Sequence, residues 1–190
     1  MLKVGIVGLG RGMSHLHVFA QRNDTKVVAV CDINESLALK VKNDMGLEGA
    51  YSDYDKFLSH DMDIVVVATP LPLHVSNSIS ALECGKHVLC EVPIANSLEE
   101  CEALVKAVKK SKGKFMFGEN CNYWYFVEKW KEMVAEGKIG KPIYAEAEYI
   151  HDCRSIMRDS EGRPTWRASM PPIYYCTHSL GPVLSVINDR

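Results

Sequence analysis

The chain has 190 residues, 47% of them hydrophobic and 24% charged, with a formal charge of -2. That is a globular composition, long enough for one ordinary domain and part of another, and it gives no reason to expect nucleic acid or an acidic membrane as a partner. The longest strongly apolar run, Ile64 to Ala68, is far too short to span a bilayer.

Val4 to Val7 is a short apolar strand running into the glycine-rich turn Gly8-Leu9-Gly10-Arg11-Gly12, with a helix expected from about 13 to 22. Val27 to Cys31 is a second apolar strand, ending in Asp32. A helix from Asn34 to about Asp44 is closed by Met45-Gly46. A short strand near Ala50-Tyr51 and a small helix from Asp53 to Leu58 lead to Asp63 to Thr69, whose β-branched residues mark a strand covered on both faces. A helix from about Leu73 to Cys84, a strand from His87 to Cys90, and a helix opened by the capping box Ser97-Leu98-Glu99-Glu100 and running to about Ser111 follow. Leu98, Cys101, Leu104, Val105 and Val108 form the apolar face of that helix, and Lys114 to Gly118 is the last strand of the set. Strands alternating with helices predict an α/β fold, a Rossmann-type doubly wound parallel sheet over residues 1–122, with ligands beyond the carboxyl ends of its strands.

Past residue 122 a helix from about Tyr125 to Glu136 precedes the turn Gly137 to Pro142 and an alternating strand, Ile143 to Ile150. An Arg-rich loop runs from His151 to Arg167, and a last helix begins near His178-Ser179. Residues 123–190 are short for a second domain of roughly 100–150 residues, so they are read as an incomplete α+β domain for substrate and oligomer contacts. A chain of this length is expected to bind its cofactor weakly and to be inactive alone. Gly5, Gly8 and Gly10 interrupt any apolar leader, which favours a cytoplasmic location.

The first turn reads as a dinucleotide site. Gly8 folds the chain back sharply, Gly10 lets a diphosphate approach the backbone, and the helix behind them offers its N-terminal N–H groups. Asp32 would accept from ribose hydroxyls, and because Ile33 and Asn34 follow rather than a cation, NAD is favoured over NADP. Met13 stands where a third small residue is usual, so the helix would have to use Gly12 for close packing. The other candidate segments at the strand ends are Thr69-Pro70 with His74, Glu91-Val92 and Glu119-Asn120. Seven scattered cysteines without C-x-x-C point to reduced thiols. No metal site is expected: His15 and His17, two apart on a helix, read as ordinary helix histidines. Arg154, Arg158, Arg163 and Arg167 are either a grip for an anionic substituent or loop residues without a role.

The Gly8-x-Gly10 turn with Asp32, Ala68-Thr69-Pro70 with His74, Gly85-Lys86-His87-Val88 leading to Glu91-x-Pro93, and the Gly137 to Pro142 turn together resemble the Gfo/Idh/MocA family of sugar and polyol oxidoreductases. In that family a lysine at the reacting centre stands between the Glu and the Pro; here it is Val92, which can neither take nor donate a proton. One branch is similar in this respect, the NAD-dependent glycosidases of the α-N-acetylgalactosaminidase type. It also resembles Glu119 to Tyr123, Tyr149 to Arg154 and Tyr175 to Pro182. The resemblance implies that Glu119, Tyr149, His151, Tyr175 and His178 line a sugar pocket, with His178 as general base for a sugar hydroxyl and Tyr149 or His151 handling a second proton. It implies NAD-dependent hydride transfer with a sugar or sugar derivative, or redox-neutral glycoside cleavage, in a homo-oligomer when full length. A non-catalytic NAD-binding protein is the rival from another class.

Overall fold

The computed structural model describes residues 1–187. The chain divides into two compact units, Met1–Gly118 and Glu119–Arg190. The first is a six-stranded sheet whose strands β1 (Leu2–Val7), β2 (Thr25–Cys31), β3 (Gly49–Tyr51), β4 (Ile64–Val67), β5 (His87–Cys90) and β6 (Phe115–Phe117) lie in the order β3-β2-β1-β4-β5-β6. Every pairing is parallel. The order reverses between β1 and β4, which puts the carboxyl ends of these two strands at the switch point where open parallel sheets bind ligands.

Alternation along the strands builds two cores. Val4 and Ile6 of β1 and Val66 of β4 join Leu9 and Leu16 of α1 (Leu9–Ala20) and Ala38 and Val41 of α2 (Glu35–Met45). Val7, Val65 and Val67 point the other way, joining Phe57 of α3 (Tyr54–Leu58), Val75 and Leu82 of α4 (His74–Glu83) and Leu104 of α5 (Leu98–Lys110). Burying side chains of this size contributes roughly 1.5–3 kcal/mol each, which the helices on both faces secure. The caps are local: Asn34 Oδ1 accepts from Leu37 N–H at 3.1 Å, and Ser97 Oγ from Glu100 N–H at 3.2 Å. Glu100 reaches back to the N–H of Asn96, one residue earlier than a standard capping box.

Three expectations need correction. Helix α1 starts at Leu9, not near residue 13, because Gly8 at φ 88° turns the strand directly into the first helical turn. Leu98 and Val105 do not join the buried face of α5: they are 80% and 51% exposed, and only Leu104 is fully buried there. Residues 143–150 form no strand. A strand is held by ladder bonds to a neighbour, no described residue pairs with this stretch, and Ile143 and Ile150 are 98% and 88% exposed. Alternation encodes a face but not a partner to cover it.

The second unit holds a 3-10 turn (Asn120–Tyr123), α6 (Tyr125–Ala135) and α7 (Thr177–Ile187), which pack together around buried Cys121 and Val127. Between α6 and α7 runs a long segment with short 3-10 turns and one antiparallel bridge, Arg158 to Pro164. Among the described residues no helix is long and apolar enough to cross a membrane.

Candidate functional site

In the first unit the chemistry gathers where β1, β2, β4 and β5 end. A Cβ on Gly8 would lie 2.6 Å from the carbonyl carbon and oxygen of Ala68, so this position needs glycine for both its positive φ and its close approach to the chain after β4. At Gly12 a Cβ would meet Ile6 Cγ2 at 2.7 Å, so Gly12 is where α1 closes on β1, while Met13 packs at the edge of the core. Gly10 has nothing within 4 Å of its Cβ position, which leaves the backbone open to a diphosphate. Asp32 Oδ2 accepts from the Leu9 N–H at 2.8 Å and Oδ1 from the Asn34 N–H at 2.9 Å, fixing the carboxylate beside the turn.

Glu91, 8% exposed, ties the far side together. Its Oε1 lies 2.7 Å from both Arg11 Nε and His15 Nε2, and Oε2 accepts from the Val92 N–H at 3.2 Å. Burial alone would raise the carboxyl, but the bonds from His15 and Arg11 outweigh it and hold the group down at about 2. His15, read from the sequence as an ordinary helix histidine, stands four residues after Arg11 and therefore on the same helix face. His17 turns instead to the Met13 carbonyl at 2.7 Å. His74 is buried with its ring nitrogens 2.6 Å from the Pro93 carbonyl and 2.7 Å from the Thr69 carbonyl, so it positions the two loops. Pro70 caps the 3-10 turn Leu71–Leu73, Thr69 Oγ1 accepts from Asn77, and Val92, buried, precedes a cis bond to Pro93.

Glu119 and Asn120, expected beside the cofactor, belong to the second unit. Glu119 is 4% exposed, and its Oε1 lies 2.8 Å from His178 Nδ1 and accepts from the Cys121 N–H at 3.0 Å. Cys121 Sγ lies 3.2 Å from the same His178 nitrogen. Burial, reinforced by the Glu119 charge and hydrogen bond, pushes the Cys121 thiol up to about 12, so it is no thiolate nucleophile. A carboxylate only accepts, so the proton between Glu119 and His178 is assigned to Nδ1 and the lone pair to Nε2. The aromatic rings sequence reasoning nominated surround this histidine: Tyr149 at 4.6 Å and Tyr175 at 5.2 Å between ring centroids. His151 stacks on Tyr149 at 6.0 Å and contacts Cys153 Sγ at 3.4 Å. Cys121 was not nominated; nothing in its local sequence separates it from the other thiols.

The loop arginines sort themselves. Arg154 pairs with Asp152 at 2.7 Å, Arg163 with Asp159 at 2.8 Å, and Arg158 donates to the Gly162 carbonyl at 2.8 Å. Arg167 lies 4.4 Å over the Trp166 ring and 5.6 Å from that of Tyr175.

Residues 2–119 match the model of the Gfo/Idh/MocA oxidoreductase family, described as an NAD-binding Rossmann fold. The chain belongs to this family. Its relatives include a glycosyl hydrolase family 109 protein of Shewanella putrefaciens, 32% identical over 99% of this chain, and an α-N-acetylgalactosaminidase of Shewanella oneidensis, 30% identical over 99%. The chain spans 44% of the length of each. Among solved structures, scyllo-inositol dehydrogenase from Lactobacillus casei with bound NAD(H) and scyllo-inositol is similar to 74% of the chain, at 31% identity and TM-score 0.71, over 43% of its own length. A probable dehydrogenase from Thermotoga maritima shares the fold over 100% of this chain and 56% of its own, with TM-score 0.80 and 23% identity. NAD, expected from the glycine turn and Asp32, is the cofactor of the family this chain belongs to.

Proposed function

We propose that the protein is an NAD-dependent enzyme acting on a sugar or sugar derivative, with His178 as the base that takes the hydroxyl proton. The observation that carries this is the Glu119–His178 pair, 2.8 Å apart and ringed by Tyr149 and Tyr175. Glu119 fixes the tautomer that leaves Nε2 bare, and the aromatic rings shield the imidazole while offering the flat faces on which sugars stack. The first unit fits the cofactor: the uncovered backbone at Gly10 would take the diphosphate, and Asp32 the adenosine ribose. With Ile33 and Asn34 beside Asp32 rather than a cation, NAD is preferred over NADP. When bound, NAD supplies the hydride acceptor for the carbon whose hydroxyl His178 deprotonates.

A second reading is favoured by Val92. A buried isopropyl group cannot relay a proton, and the glycosidase relatives named above fit a cycle without net oxidation. In it, the ketone made in the first step acidifies the neighbouring C–H, and Tyr149 removes that proton as the anomeric substituent leaves. Water then adds at the anomeric carbon, and the ketone would be reduced back by the hydride the cofactor took up in the first step, so that no net oxidation results. The reading includes a small-molecule sugar as partner, a cytoplasmic location and self-association. It includes neither nucleic acid nor membrane, in keeping with the charge of -2.

The test is to incubate the whole protein with free sugars and with aryl α- and β-glycosides, with NAD supplied only catalytically in the second case. Phenol release without accumulation of NADH supports cleavage, and NADH formed stoichiometrically from a free sugar supports oxidation. NAD binding by calorimetry without either reaction leaves a binding protein and sinks the enzymatic reading.

A further inference from the structure

We propose that Glu119, Cys121 and His178 form a zinc-binding site at the buried edge of the His178 ring, and that zinc held there silences this histidine as a base. The three offer a carboxylate oxygen, a sulfur and an imidazole nitrogen, all within 4.8 Å of one another. That mixed set suits zinc and not calcium or magnesium, which take oxygen ligands. Zinc bonds of about 2.0–2.3 Å space tetrahedral ligand atoms roughly 3.3–3.8 Å apart. The present Nδ1 to Oε1 and Nδ1 to Sγ separations of 2.8 and 3.2 Å therefore need to open by only about half an ångström.

A separate observation points to a missing cation. Glu119 Oε2, Asn122 Oδ1 and Thr177 Oγ1 are all buried without a hydrogen-bond partner among the described residues. Asn122 Oδ1 and Glu119 Cγ both close on Gly181, where a Cβ would lie 2.6 and 3.2 Å from them. Orphaned buried polar atoms are rare in folded proteins and call for an ion or a water. These sit on the same two short segments as the three ligands, and two of them, Glu119 Oε2 and Asn122 Oδ1, are oxygens that only accept, so lone pairs are left there that no donor meets. One divalent ion with one carboxylate and one thiolate also leaves no net charge in a buried place, which removes the main cost of placing an ion there.

The exchange balances simply. As zinc bonds to sulfur, the thiol proton passes to solvent. As it bonds to Nδ1, the proton there leaves and Nε2 takes one up. Nε2 faces away from Nδ1 across the ring, and once protonated it can no longer accept from a sugar hydroxyl. The site itself is independent of the enzymatic reading, and only its inhibitory consequence rests on it.

The experiment titrates chelator-treated protein with zinc against a chromophoric chelator, and separately with cobalt(II) followed by absorption. Expected are one zinc per chain, a thiolate-to-cobalt charge-transfer band, and at least tenfold weaker binding with loss of that band in Cys121→Ser. Glu119→Gln should weaken zinc binding while keeping the band. Thermal melts establish that the variants fold, and if Cys121→Ser does not, Cys121→Ala and His178→Asn carry the same comparison. Absence of stoichiometric zinc, absence of the sulfur band in the unaltered protein, or affinity unchanged by these substitutions overturns the proposal. Because the readout is metal, a failure of the sugar chemistry leaves this result standing, and the reverse holds too.

Discussion

The two units differ in how their candidate-site side chains are satisfied, although each leaves some buried polar atoms without a partner among the described residues, His60 Nε2 and Ser78 Oγ in the first. In residues 1–118, Asp32, His74 and Glu91 each meet donors or acceptors on two sides, and apolar side chains are packed on both faces of one sheet. In residues 119–190 the buried Glu119 has one oxygen satisfied and one orphaned, and large apolar side chains such as Ile143 and Ile150 face outward. Around His178 such atoms gather on two short segments, Glu119 Oε2 and Asn122 Oδ1 on one and Thr177 Oγ1 on the other.

The strongest way to sharpen this contrast is at His178. His178→Ala should lower kcat by roughly 10²–10⁴-fold, the range for loss of a general base, while NAD affinity measured by calorimetry stays unchanged. Loss of NAD affinity instead would break the separation of roles between the units. The next largest effect is on stability: Leu16→Ala, fully buried against β1, should cost about 2–5 kcal/mol in denaturant unfolding.

Glu91 gives a pH-dependent version. Its carboxyl is held at about 2 against an ordinary 4.5, so its stabilising contribution is complete above about pH 4.5 and disappears as pH falls towards 2. That amounts to about 3 kcal/mol, and Glu91→Gln should flatten the acid limb of the stability curve by that order. An acid limb of unchanged steepness would show that Arg11 and His15 do not hold the carboxylate as the distances indicate. The smallest effect belongs to the exposed stretch: Ile143→Ser and Ile150→Ser should change stability by no more than about 0.5 kcal/mol. A larger loss would show that residues 143–150 are covered in solution.

The sequence shows the first unit well because its signals are local. Gly8 and Asp32 mark the turn and its acid, and Asn34 and Ser97 cap the helices they announce. Gly12 also takes up the close packing expected of it. The start of α1 was not legible, because a run with three glycines looks like a loop until Gly8 is seen turning straight into the helix. Residues 143–150 misled for the converse reason, since alternation is a property of the segment whereas a strand is a property of a pair. His15 was legible in principle through its spacing from Arg11. Cys121 was not, for its meaning comes from a histidine 57 residues away. Tyr149, Tyr175 and His178 were found only through family resemblance, since aromatic and histidine residues in a loop have no periodicity to give them away.

His74 works as a rivet. Held between the Thr69 and Pro93 carbonyls, one at each ring nitrogen, it spans the lips that follow β4 and β5. A tug on either lip is shared by both, so a molecule resting across them meets a stiff floor instead of two independent flaps. His74→Ala should loosen that floor and let such a molecule depart sooner, even though the imidazole itself is sealed from contact.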